Sequence, residues 1–281
     1  MYILLKSGEL NRIEEYILDR KFLLVILIVV LVFVGITIVG VSLDRETTTT
    51  EPTTESTTLP ASSEPPITGI GNYLPEETTE NIATPTIKEF TSADIGYLDD
   101  ALFIGDSRTV GLQEYSDITN ADFFCTVGMN VFKIYNETAT VDGVSTNLKT
   151  LLSSNKYGKI YIMLGINELG YNRNTAFNKY KELVDTVLSY QPDAIIFIEA
   201  NIHVGAERSA KDKIINNVGI NDFNSMLMSL ENKQNIFYID VNPMYDDESG
   251  NLSTAYSSDG IHLYAKYFSI WKDFILSKAI F

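Results

Sequence analysis

Short, almost wholly apolar runs recur along the last two-thirds of the chain: Leu102–Ile104, Asp122–Thr126, Lys159–Leu164, Ala194–Glu199 and Ile236–Asp240. Continuous apolar character, rather than alternation, predicts strands covered on both faces, as in a parallel sheet. Helix-period stripes separate them. One is Phe177, Tyr180, Val184, Val187 and Leu188; a second is Ile215, Val218, Phe223, Met226, Leu227 and Leu230; a terminal one is Tyr267, Trp271, Phe274 and Ile275. Such stripes are core-facing surfaces rather than ligand sites. Strand and helix in alternation predict an α/β fold, a three-layer α/β/α sandwich around a five-stranded parallel sheet.

The first third follows other rules. Phe22 to Leu43 is an uncharged stretch rich in Leu, Ile and Val, long enough as a helix to cross a roughly 30 Å hydrocarbon layer. A cleaved signal would have a shorter apolar core, about 7–15 residues, and a small-residue cleavage site. One transmembrane helix over residues 22–43 is expected. Lys6, Arg12, Arg20 and Lys21 precede it and Arg45 alone follows closely, which places residues 1–21 in the cytoplasm and the remainder outside. Residues 44–91 are rich in Thr, Ser, Glu and Pro and hold Pro52, Pro60, Pro65, Pro66, Pro75 and Pro85 of the chain's eight prolines. That composition cannot bury enough apolar surface to fold, so a disordered, extended linker is expected. The folded domain then spans residues 92–281.

Residues 1–45 balance five basic against five acidic side chains, so the formal charge of −16 lies entirely beyond the span. A surface of that sign lacks the Lys and Arg clusters that nucleic-acid phosphates require. No nucleic-acid partner is expected. Cys125 is the single cysteine, which excludes an intramolecular disulfide and leaves a small core residue in an apolar run. Asp246-Asp247-Glu248 reads as a solvated turn, and the chemistry below calls for neither metal nor cofactor.

Polar motifs cluster where the strands end, the edge at which open parallel sheets bind ligands. Gly105-Asp106-Ser107 follows the first strand, Val127-Gly128-Met129-Asn130 the second, and Gly165-Ile166-Asn167-Glu168 the third. Asp259-Gly260-Ile261-His262 follows the fifth. A serine hydroxyl becomes a useful nucleophile only when an imidazole takes its proton, and an acceptor must hold that imidazole in the right tautomer. The chain has two histidines, His203 and His262. Only His262 has a carboxylate at short fixed spacing, Asp259, so Ser107, His262 and Asp259 are the candidate nucleophile, base and orienting acid.

In this order and placement the motifs resemble the SGNH hydrolase superfamily, also called GDSL esterases and lipases, over about residues 98–281. The resemblance implies a flavodoxin-like SGNH hydrolase fold. It also implies that the Gly128 and Ser107 backbone N–H groups and the Asn167 side chain form the oxyanion hole. Glu168 departs from the family's usual Gly-x-Asn-Asp while keeping the charge. Arg108, Glu168 and His203 are candidate substrate-contacting residues; for His203 a structural hydrogen-bonding role competes.

The expected protein is a membrane-tethered, extracytoplasmic serine esterase that removes small acyl groups, acetyl foremost, from cell-envelope or environmental carbohydrate. The resemblance extends to membrane-anchored members of Gram-positive-type bacteria. An O-acyltransferase using the same triad is the alternative and would need a multi-span partner or an external acyl donor. A lysophospholipase or thioesterase is another.

Overall fold

A computed structural model describes residues 87–281, within one compact unit, Thr78–Phe281. The span expected over residues 22–43 and most of the linker lie outside the described residues. Among the described residues no helix is long and apolar enough to cross a membrane.

Five strands, β1 (Ala101–Gly105), β2 (Asp122–Cys125), β5 (Lys159–Met163), β6 (Ile195–Glu199) and β7 (Ile236–Ile239), form one sheet in the order β2-β1-β5-β6-β7. All neighbours are parallel. The expected five-stranded parallel sheet is present, with the strand order reversing between β1 and β5. Helices α1 (Ser107–Tyr115), α2 (Leu148–Ser154), α3 (Arg173–Tyr190), α4 (Ala206–Lys211) and α5 (Asn217–Met228) fill the connections, and α6 (Phe268–Leu276) follows the last strand.

Side chains leave a strand alternately to either face, so each face has its own core. Leu102, Ile104, Phe124, Ile160, Ile162, Ile196 and Ile198 pack with Tyr180, Leu183, Val184 and Val187 of α3 and Phe223 and Leu227 of α5. On the other face Phe103, Phe123, Tyr161, Phe197 and Phe237 pack with Leu112 of α1 and Phe268, Trp271 and Ile275 of α6. These five rings lie in register across all five strands. Successive centroids are 4.8, 4.6, 4.6 and 6.1 Å apart; the first three match the interstrand spacing, and the last pair is tilted and wider. Each ring lies two residues before the end of its strand, so the ladder makes a stiff floor beneath the polar edge.

Two features were not expected. Thr138–Val141 (β3) and Val144–Asn147 (β4) form an antiparallel hairpin. Its turn, Asp142-Gly143, has φ of 48° and 76°, the left-handed pair that a two-residue hairpin turn needs. The domain also begins before residue 92: Thr91 exchanges backbone hydrogen bonds with Ala279, and the Phe90 ring lies 5.7 Å from Phe237.

Candidate active site

β1 ends at Gly105, where a Cβ would collide with Thr109 of the next helix; the missing side chain lets α1 start directly off the strand. Asp106 caps α1, its Oδ1 accepting from the Arg108 N–H at 3.0 Å. Ser107 is thus the first residue of the helix, with its hydroxyl at the positive end of the helix dipole. Asp106 is wholly buried and is neutralised by Arg108 through Nε at 3.0 Å and Nη2 at 2.7 Å. The fork-like pairing satisfies a charge that would otherwise be costly to bury. Nη2 also donates to Asn201 Oδ1 at 2.9 Å, tying the nucleophile's turn to the end of β6. Arg108 is therefore buried beneath Ser107, pointing away from solvent rather than toward a substrate.

Ser107 Oγ lies 3.1 Å from His262 Nε2, and His262 Nδ1 lies 2.8 Å from Asp259 Oδ2. The two segments are 155 residues apart in sequence. Asp259 Oδ1 accepts the Ile261 and His262 backbone N–H groups, both at 2.8 Å, and the Ser257 hydroxyl at 3.1 Å. Burial pushes the Asp259 carboxyl up, but the hydrogen bonds from the His262 ring and backbone, the histidine's charge and the Ile261 N–H outweigh it. The net effect holds it well below the usual carboxylate range, so Asp259 stays an anionic acceptor for the Nδ1 proton. Gly260, at φ 72°, bends this loop against Gly205, whose N–H donates to the Gly260 carbonyl at 2.8 Å.

Gly128 has φ 78° within a turn closed by Met129 N–H to the Thr126 carbonyl at 3.2 Å, and a Cβ there would meet nothing within 4 Å. Backbone conformation, not crowding, requires glycine at this point. Asn167 sits in a single 3₁₀ turn, Ile166–Glu168, after β5. Its Nδ2 donates one N–H to the Met129 carbonyl at 3.0 Å, fixing the amide with a second N–H to spare. Glu168 is buried; its Oε1 accepts from the Val131 N–H at 2.8 Å, while Oε2 has no hydrogen-bond partner among the described residues. Burial, opposed by the Val131 bond and aided by the Asp106 charge, pushes its carboxyl up to about 7. Glu168 clamps the Asn167 turn to the Gly128 segment and faces inward.

The structure thus brings Ser107, His262 and Asp259 into one hydrogen-bonded relay and bonds the Gly128 and Asn167 segments to each other. His203 stands in a different network: Nδ1 is 2.9 Å from Asp246 Oδ2, Nε2 is 2.7 Å from Asn221 Oδ1, and its backbone N–H donates to Asn242 at 2.7 Å. Sequence reasoning overlooked Asn201, which is buried and donates to the Leu164 carbonyl at 3.1 Å. It also overlooked Ser257. A polar residue two positions after an apolar strand was the available signal for Asn201; nothing in the sequence singled out Ser257. Among the described residues no group of three or more His, Cys, Asp or Glu side chains is arranged to hold a metal ion.

A serine–imidazole–carboxylate relay at the carboxyl edge of a parallel α/β sheet defines the hydrolases that work through an activated serine. The sequence model of the GDSL-like lipase/acylhydrolase family matches residues 103–266, more than half of the chain, and the chain belongs to that family. No curated protein matches it. Among solved structures it is similar to a Streptococcus pneumonia protein named for platelet activating factor, at 20% identity and TM-score 0.49 over 63% of this chain and 81% of that one. It is also similar to a GDSL-like lipase of Bacteroides thetaiotaomicron, at 13% identity and TM-score 0.49 over 63% and 86%. A family 3 carbohydrate esterase from Talaromyces cellulolyticus matches at 12% identity and TM-score 0.42 over 62% and 93%. Family membership rests on the sequence match, not on these distant structures.

Proposed function

We propose that this acylhydrolase is an extracytoplasmic serine esterase that removes acetyl and other small acyl groups from carbohydrate, tethered to the cell membrane by one helix over residues 22–43. The observation that carries the chemistry is the Ser107–His262–Asp259 relay with its 3.1 and 2.8 Å contacts. His262 Nε2 takes the Ser107 proton as Oγ attacks the ester carbonyl carbon. The carbonyl oxygen, now negative, accepts from the Ser107 and Gly128 backbone N–H groups and the spare Asn167 N–H. The bond to the sugar oxygen breaks as His262 returns its proton to that oxygen, leaving acyl-Ser107 and a free hydroxyl. Water then attacks with His262 again as base, releasing the carboxylic acid and restoring Ser107. Asp259, kept ionised, stabilises the charged ring in both halves.

Support for a small acyl group and a hydrophilic substrate comes from what borders the relay. The segment that leads to Asp259, residues 246–258, is polar and acidic and carries no long apolar insertion able to enclose an acyl chain. An enzyme for fatty acyl chains gains about 0.8 kcal/mol for each methylene it buries, and a polar segment offers no such gain. Support for the tether remains that of the sequence: the apolar span, the basic residues before it and the Pro- and Thr-rich linker.

The test is acetate release from acetylated xylan and acetylated wall polymers by the full-length protein, with aryl esters of increasing chain length in parallel. Acetyl should be preferred to butyryl, with activity nearly gone at octanoyl. A maximum at eight carbons or more would overturn the small-acyl assignment.

A further inference from the structure

Beside the oxyanion segments stands a pair of aromatic rings that the catalytic chemistry does not use. Tyr171 is 52% exposed, and its ring lies 4.6 Å, centroid to centroid, from Phe132 at an angle of 33°. Phe132 is partly buried against the core on that side of the sheet. One ring is thus rooted in the domain and the other leans on it, open to solvent.

Both rings belong to the segments that carry the proposed oxyanion donors. Tyr171 lies four residues beyond Asn167, and its N–H donates to the Glu168 carbonyl at 2.8 Å. Phe132 lies four residues beyond Gly128, and its N–H donates to Asn130 Oδ1 at 3.1 Å. The Val131–Glu168 and Asn167–Met129 bonds, at 2.8 and 3.0 Å, join the two segments directly. The ring pair therefore stands on the same two segments that carry the donors.

We propose that Tyr171, backed by Phe132, is a sugar-binding platform on which a pyranose ring of the acylated substrate stacks; this deepens the carbohydrate assignment above and rests on it. The open geometry selects the occupant. An acyl chain gains by having its methylenes enclosed, whereas a platform covers one side only. A pyranose has a flat C–H face and a rim of hydroxyls, so it can cover an aromatic face while its polar rim stays hydrated. A buttressed tyrosine loses little conformational entropy on binding, because only two side-chain torsions are involved and the neighbouring ring already restrains them.

The experiment measures kcat and KM for the full-length protein and for Tyr171→Ala and Tyr171→Trp. The substrates are acetylated xylo-oligosaccharides, triacetin as a small ester with neither sugar nor aromatic ring, and an aryl octanoate. Tyr171→Ala should lower kcat/KM on the oligosaccharides about tenfold more than on triacetin, mainly through KM, the size of roughly one stacking contact. Tyr171→Trp should retain the wild-type ratio. Equal losses on oligosaccharide and triacetin, or a loss largest on the octanoate, would overturn the platform. So would wild-type oligosaccharide kinetics in Tyr171→Ala. Wild-type turnover of triacetin without turnover of any acetylated sugar would instead refute the carbohydrate assignment itself.

Discussion

The domain contains two histidine–aspartate pairs, and only one of them faces a nucleophile. His262 and His203 each hold a carboxylate oxygen at Nδ1, at 2.8 and 2.9 Å. They differ at the other nitrogen. His262 Nε2 meets the Ser107 hydroxyl, which can donate its proton to a neutral ring. His203 Nε2 meets the Asn221 amide oxygen, an acceptor, so the ring bonds both partners best when both nitrogens carry protons. Burial lowers the His203 pKa, but the bonds to Asp246 and Asn221 and the charges of Asp246 and Asp240 outweigh it and the net shift is upward. An imidazole that keeps its proton is a poor general base. In the proposed mechanism the same His–Asp contact therefore serves proton transfer in one place and structure in the other.

The sharpest way to break this comparison is to remove each histidine in turn. Ser107→Ala and His262→Ala should each reduce ester hydrolysis by about four orders of magnitude or more, as for members of a relay that act as a unit. His203→Ala should retain activity within about tenfold at a temperature where it is folded. Its cost should appear as lost stability of about 1–3 kcal/mol by denaturant unfolding, because partners of a part-buried hydrogen-bonded group are left unsatisfied. Comparable catalytic losses at the two histidines would place His203 in the reaction.

Next in size is the proposed oxyanion amide. Asn167→Ala should lower kcat by about two to three orders of magnitude with a smaller change in KM, because the donor is used mainly when charge develops on the carbonyl oxygen. Weakened KM with unchanged kcat would mean that Asn167 contacts the ground state only. Unfolding curves would check that loss of its bond to Met129 has not simply loosened the turn.

These expectations start from residues that sequence alone had brought forward, and the reason is physical. Strands buried on both faces write themselves as apolar runs, so all five strands of the parallel sheet were legible. The reactive motifs were legible because the fold places ligands at strand ends and because histidine is scarce. The hairpin at 138–147 was not, since its strands carry Thr, Ser and Asn and are half exposed; Asp142-Gly143 was the signal that could have revealed it. Nor could sequence orient the polar residues beside the nucleophile. Arg108 and Glu168 were candidate substrate contacts because they adjoin reactive residues. Which way a neighbour points depends on the helix cap at Asp106 and the 3₁₀ turn at Asn167: Arg108 turns inward to Asp106 and Asn201, and Glu168 to Val131.

The smallest expected effect separates charge that serves the reaction from charge that merely accompanies it. Glu199 is buried at the end of β6, and its Oε1 accepts from Trp271 Nε1 at 2.8 Å. Burial pushes this carboxyl up to about 7, against the lowering influence of Trp271 and Arg108. A raised folded pKa means that the native state binds the proton more tightly than the unfolded chain. The stabilising contribution is therefore fully present below the unfolded value of 4.5 and is lost as pH rises through about 7. Glu168 and His203 shift in the same direction, whereas Asp259 shifts oppositely and contributes stability that is lost only as pH falls into the acid range. Glu199→Gln keeps an acceptor for Trp271 and removes one ionisation. Relative to wild type, its Tm should rise by on the order of a few degrees between pH 5 and pH 8, with the contributions of the other groups common to both proteins. A Tm difference that does not change with pH would show that Glu199 keeps the same charge in the folded and unfolded states, and the upward shift at the end of β6 would have to be abandoned.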